Sequence, residues 1–75
     1  MSKKETVVNG NGFYLTFKQK EVLRHLAKGL QNKQIAYAMN LSVSTVKLHI
    51  CGIFLRLEVH TRTAAVVKAQ KLGLI

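Results

Sequence analysis

Three histidines (His25, His49 and His60), one cysteine (Cys51) and three carboxylate side chains are all that this chain offers for catalysis or metal binding, and their spacing does not assemble them. His49 and Cys51, two residues apart, diverge by about 160° on a helix. No nucleophile stands beside a base in a Ser/His or Cys/His arrangement. Neither an enzyme, a metal site nor a cofactor is expected. Cys51 lacks a second cysteine for an internal disulfide, and redox sensing would need a lowered thiol pKa and a resolving partner that the sequence does not supply. What the chain does concentrate is positive charge, with 12 Lys+Arg against 3 Asp+Glu and a formal net charge of +9 over 75 residues. Ten of these cations are spread from Lys18 to Lys71, the other two being Lys3 and Lys4, so a polyanion is the natural partner.

The elements that must position this charge follow from pattern. A 75-residue chain makes one small domain that buries roughly 60–65% of its unfolded surface, which leaves no room for a deep substrate cavity. At 48% hydrophobic residues it is too apolar for a disordered basic tail. No apolar run approaches the ~20 residues that span a bilayer, so no membrane partner is expected. No charged-then-apolar signal segment opens the chain, which makes a reducing cytoplasm the expected setting. Proline is absent and period-3.6 patterning dominates, predicting an all-α fold. Residues 1–14 contain Asn9-Gly10-Asn11-Gly12 and no sustained periodicity; they read as a flexible leader ahead of a domain over 15–75.

Four helices are predicted in that domain. Thr16 caps the first, with Gln19 placed to complete a capping box; Val22, Leu23, Leu26 and Ala27 form its apolar stripe, Gln19 falls inside that stripe, and Gly29 ends the helix. Asn32 is expected to cap a short second helix to Met39, with Ile35, Ala36 and Met39 inward. Asn40 can make a left-handed turn without glycine. Ser42 caps a third helix, from Val43 to about Leu57, in which Val46, Ile50, Ile53 and Leu57 form an inward stripe. Ser44, Leu48, Cys51 and Leu55 lie roughly 140–200° from Val46, with Lys47 at about 100° on the flank. Thr61 caps the fourth helix, to Leu72, where Ala65, Ala69 and Leu72 make one stripe and Ala64, Val67, Lys68 and Lys71 an adjacent one. Gly73 closes it.

A short helix with a small Ala36, a tight turn at Asn40 and Leu41, and a second helix with Val46 four residues beyond its cap describe a helix-turn-helix. Over Leu15 to about Ala69 the sequence resembles the LuxR-type (GerE or FixJ-type) helix-turn-helix of bacterial transcription regulators. The resemblance is carried by Leu15-Thr16 with Glu21-Val22-Leu23, by Gly29 with Asn32-Lys33-Gln34-Ile35-Ala36, by Ser42 with Thr45-Val46-Lys47 and His49, and by Ile53, Leu57, Val59, Arg62 and Ala65. It implies an all-α, four-helix domain that binds double-stranded DNA sequence-specifically and acts in the cytoplasm at the bacterial nucleoid. The third helix would enter the major groove. The fourth would mediate a homodimer on DNA through Ala64, Val67, Lys68 and Lys71, and RNA polymerase is a further candidate partner.

By the same resemblance Lys47, Leu48 and Cys51 occupy base-facing positions, in agreement with the angular count. Lys47 can donate to a guanine edge, while Leu48 and Cys51 offer apolar contact to a thymine methyl or a weak thiol donor. Asn32, Lys33, Ser44, Thr45 and Arg56 are candidate phosphate contacts, although Asn32 and Ser44 serve equally well as cap or first-turn residues. His49 lies beside the inward stripe, where a packed, hydrogen-bonded role is expected, and His25 and His60 read as surface residues. Arg62 is expected to tie the fourth helix to the core, through Gln19 or Glu58. The chain departs from the family at several positions. Lys18 and Gln19 stand where Arg and Glu are favoured, Gly52 where Asn is common, Leu55 where a polar residue is usual and Glu58 where glycine often ends the helix. Gly52 lies near the outward side, where a missing side chain lets backbones approach. A competing reading is a protein-interaction module that docks through Leu55 and the outer face of the last helix. Operator, sign of regulation and input signal are not encoded in any motif, and the chain fits both a stand-alone regulator and a domain of a longer one.

Overall fold

The computed structural model describes residues 6–8 and 14–75. In chain order the elements are strands β1 (Thr6–Val8) and β2 (Tyr14–Thr16), then helices α1 (Phe17–Ala27), α2 (Asn32–Met39), α3 (Val43–Leu57) and α4 (Arg62–Lys71). The four predicted helices are present. The two strands pair antiparallel, Thr6 with Thr16 and Val8 with Tyr14, so part of the segment expected as a flexible leader is a β-ribbon. Thr6-Val7-Val8 is a β-branched run, and the Asn-Gly repeats that separate it in sequence from Tyr14 are the composition of a hairpin connection. The remainder of the expected leader, residues 1–5 and 9–13, lies outside the described residues.

Side-chain caps set the helix starts. The Gln19 N–H donates to Thr16 Oγ1 at 3.0 Å and Gln19 Oε1 accepts the Thr16 N–H at 3.0 Å, closing the capping box of α1. Ser42 Oγ accepts the Thr45 N–H at 3.1 Å, and Thr61 Oγ1 accepts the Ala64 N–H at 3.0 Å. At α2 the expectation fails by one residue: Gln31 is the N-cap, its N–H donating to Gln34 Oε1 at 2.8 Å. Asn32 is instead the first helical residue, and its side chain is engaged by α4.

All four helices end the same way. A residue with positive φ (Gly29, Asn40, Glu58 or Gly73) breaks each helix, and the next residue's N–H reaches back five positions: Leu30 to His25 O, Leu41 to Ala36 O, Val59 to Phe54 O, and Leu74 to Ala69 O. These Schellman turns each place an apolar residue, Leu30, Leu41, Val59 or Leu74, against the core. Leu74 is 1% exposed; the helical pattern did not reach it, because it lies beyond the last turn of α4.

The core gathers Leu15 from β2, Val22, Leu23 and Leu26 from α1, Ile35 and Ala36 from α2, Val46, Ile50, Ile53 and Leu57 from α3, and Ala65 and Ala69 from α4. Helix α3 is its centre, with α1, α2 and α4 all packed against it. Among the described residues no single helix is long and apolar enough to cross a membrane.

Candidate nucleic-acid interface

Helices α2 and α3 turn by 106° at their joint, within the range of a helix-turn-helix. Asn40, at φ 57, makes the turn, and Ala36, 6% exposed, is the small residue at the crossing. The buried stripe of α3 fixes which face is left. Ser44, Lys47, Leu48, Cys51 and Leu55 are all exposed; Leu48 keeps 71% and Leu55 78% of their accessible surface. With 15 residues the helix is about 22 Å long, enough to lie along a groove.

The cap of α3 also organises hydroxyls at its N-terminal end. Ser42 Oγ accepts from the Thr45 backbone and lies 2.9 Å from Thr45 Oγ1, to which it donates. Ser44 Oγ lies 3.3 Å from Ser42 Oγ. Lys33 and Arg56 are exposed, and Thr45 and Asn32 half-buried. Arg62 does tie α4 to the rest of the fold, but not through Gln19 or Glu58: Nη2 donates to Asn32 Oδ1 and Nη1 to Leu30 O at 3.3 Å. Its planar fork grips the corner between α1 and α2.

Other positions separate from this face. His49 is half-buried and His60 exposed. His25 is half-buried rather than a fully surface residue, and among the described residues its buried Nδ1 has no hydrogen-bond partner. Gly52 does not lie open for an outside backbone, because Gln19 covers it. Tyr37 is 90% exposed on α2, as its place opposite Ile35, Ala36 and Met39 on the wheel dictates. On α4, Ala64, Val67, Lys68 and Lys71 join Val59 in a shallow groove of about 360 Å³. A second groove, about 550 Å³, runs beside Cys51, Phe54, Leu55 and Val59. Among the described residues no three His, Cys, Asp or Glu side chains come together to hold a metal ion.

A tight left-handed turn between two helices, an uncovered face on the second and a strongly cationic chain define a helix-turn-helix DNA-binding module. The family model described as bacterial regulatory proteins of the luxR family matches residues 14–69, and the chain belongs to that family. It is 47% identical over 53 residues to the nitrate/nitrite response regulator protein NarP of Escherichia coli (strain K12), covering 71% of this chain and 25% of NarP. It is 38% identical over 72 residues to the HTH-type transcriptional regulator AlkS of Pseudomonas putida, covering 96% of this chain and 8% of AlkS. The chain thus spans a quarter or less of the length of these curated relatives. The structure of response regulator ChrA, from a heme-sensing two-component system, superposes with a TM-score of 0.80 at 39% identity, covering 81% of this chain and 30% of that one. The transcription factor GerE superposes with a TM-score of 0.76 at 28% identity, over 80% of this chain and 90% of GerE. The chain is accordingly a LuxR-family helix-turn-helix DNA-binding domain of the kind carried by transcription regulators and response regulators.

Proposed function

We propose that this domain is the DNA-reading effector of a bacterial transcription regulator, and that it binds duplex DNA by laying α3 in the major groove. The observation that carries this reading is the uncovered outward face of α3, with Lys47, Leu48 and Cys51 all exposed, on a chain of net charge +9. In this reading Lys47 donates to a guanine edge, and Leu48 and Cys51 pack on thymine methyls. Lys33, Ser44, Thr45 and Arg56 meet phosphates and supply most of the affinity. Asn32 joins them through its amide nitrogen, its oxygen being taken by Arg62. The domain works as a homodimer on paired half-sites about one helical turn apart. Its dimer contact runs along Ala64, Val67, Lys68 and Lys71, which line one groove. It acts in the cytoplasm at the nucleoid, binds rather than catalyses, and RNA polymerase is the machinery it would address.

The test is selection of bound fragments from random duplex DNA by the unmodified chain and by Lys47→Ala. A shared motif that loses information at one position in the variant supports the reading, and recovery of no motif refutes it. A second reading is favoured by Leu55, which is 78% exposed in a groove lined also by Phe54, Val59 and His60. If the domain instead docks a protein there, binding of that protein survives salt that releases DNA.

A further inference from the structure

Among the described residues, the large hydrophobic side chain left most exposed is that of Tyr37, at 90%. Neither packing nor local propensity accounts for it. A side chain this exposed buries almost no apolar surface, and tyrosine is a poorer helix former than the lysine, arginine, glutamine or glutamate that suits an outward helical position. Its hydroxyl makes no hydrogen bond within the chain among the described residues, so no neighbouring element uses it.

Its place on α2 decides what it meets. When the second helix of a helix-turn-helix lies in the major groove, the first crosses the DNA backbone, and here that first helix is α2. Ile35, Ala36 and Met39 turn one side of α2 to the core. At 100° per residue Lys33 and Tyr37 lie within about 40° of each other on the outward side, and both are exposed. Tyr37 stands one turn, about 6 Å, beyond Lys33 toward Asn40. In chain order it therefore falls between Lys33 and the hydroxyls of Ser44 and Thr45, all three proposed above as phosphate contacts. Tyrosine hydroxyls are among the donors that meet phosphate oxygens, and a phenol reaches about as far from the helix axis as a lysine ammonium. The rigid ring leaves only two side-chain torsions to fix, and a charged acceptor strengthens the bond. We propose that Tyr37 is a further DNA-contacting residue: its hydroxyl donates to a phosphate oxygen of the backbone that α2 crosses, next to the phosphate met by Lys33. Being neutral, it adds affinity without adding charge and without reading a base. This role rests on the proposal that α3 lies in the major groove.

The test uses a duplex selected by the unmodified chain, in which phosphates are replaced one at a time by neutral methylphosphonates, and the variant Tyr37→Phe, which removes only the hydroxyl of an exposed side chain. Affinity is measured at a temperature where circular dichroism shows both chains folded. Tyr37→Phe is expected to weaken binding roughly tenfold, the size of one hydrogen bond to a charged group. The loss should be equal on every single-base variant of the duplex and should leave the salt slope unchanged, because a neutral hydroxyl displaces no counterion. One methylphosphonate is expected to cost the unmodified chain clearly more than it costs Tyr37→Phe, and to adjoin the position that Lys33→Ala masks in the same way. The role is overturned if Tyr37→Phe binds as the unmodified chain does, if its loss is confined to one base pair, or if no methylphosphonate position separates the two chains. Because the unmodified chain must first select a duplex, failure of this role is distinguishable from failure of DNA binding.

Discussion

Glu58 bears a backbone cost that its neighbours avoid. It sits at φ 57, as Asn40 does, but asparagine enters left-handed space cheaply while a longer side chain pays roughly 1–2 kcal/mol. Glu58→Gly should therefore raise stability by about 0.5–1 kcal/mol, after the extra unfolded-state entropy of glycine, read as a higher urea midpoint. A lower midpoint would mean that the Glu58 side chain contributes more than the strain costs. In the proposed reading the cationic residues divide by what they touch. Lys47→Ala should cost ~1–3 kcal/mol on the selected duplex and relax preference at one base pair, whereas Lys33→Ala should weaken all sequences alike and lower the salt slope by about 1. Equal effects on every sequence from both would remove that division of labour, and quantitative binding to a panel of single-base variants decides it.

At the scale of elements, much was legible because each helix is marked at both ends. Thr16, Ser42 and Thr61 read as caps, Gly29, Asn40 and Gly73 as stops, and the Val46, Ile50, Ile53 and Leu57 stripe fixed the orientation of α3. What escaped depends on contacts between distant parts of the chain. Asn32 has a capping residue's chemistry, yet Arg62, thirty residues away, takes its oxygen and leaves the cap to Gln31. Gly52 looks outward on a wheel, but a side chain from α1 covers it. The β-ribbon needed Thr6–Val8 to be paired with residues beyond a turn-rich stretch, and Leu74 needed the return of the chain after Gly73. Leu74→Ala tests that return. Removing a side chain that is 1% exposed should cost ~2–5 kcal/mol in urea unfolding, and a loss below about 0.5 kcal/mol, the size of a surface substitution, would show that the Schellman turn does not anchor the core. The outward residues of α3 were legible because helical periodicity alone separates them from the core.

For the whole molecule, charge and shape act together. A net charge of +9 on a domain of this size draws it to a phosphate lattice, and in the proposed reading the uncovered face of α3 discriminates once there. If two protomers neutralise roughly 8 phosphates, log K should fall with log salt at a slope of about −7; a slope near zero in a salt titration of binding would contradict electrostatic association. The most direct measurement uses Cys51, the one cysteine in the sequence, exposed on the outward face of α3. Its alkylation by a small thiol reagent is followed with and without saturating selected duplex. Bound DNA should sharply slow modification, and prior alkylation should abolish binding. Modification at the same rate with the duplex bound would place α3 outside the groove.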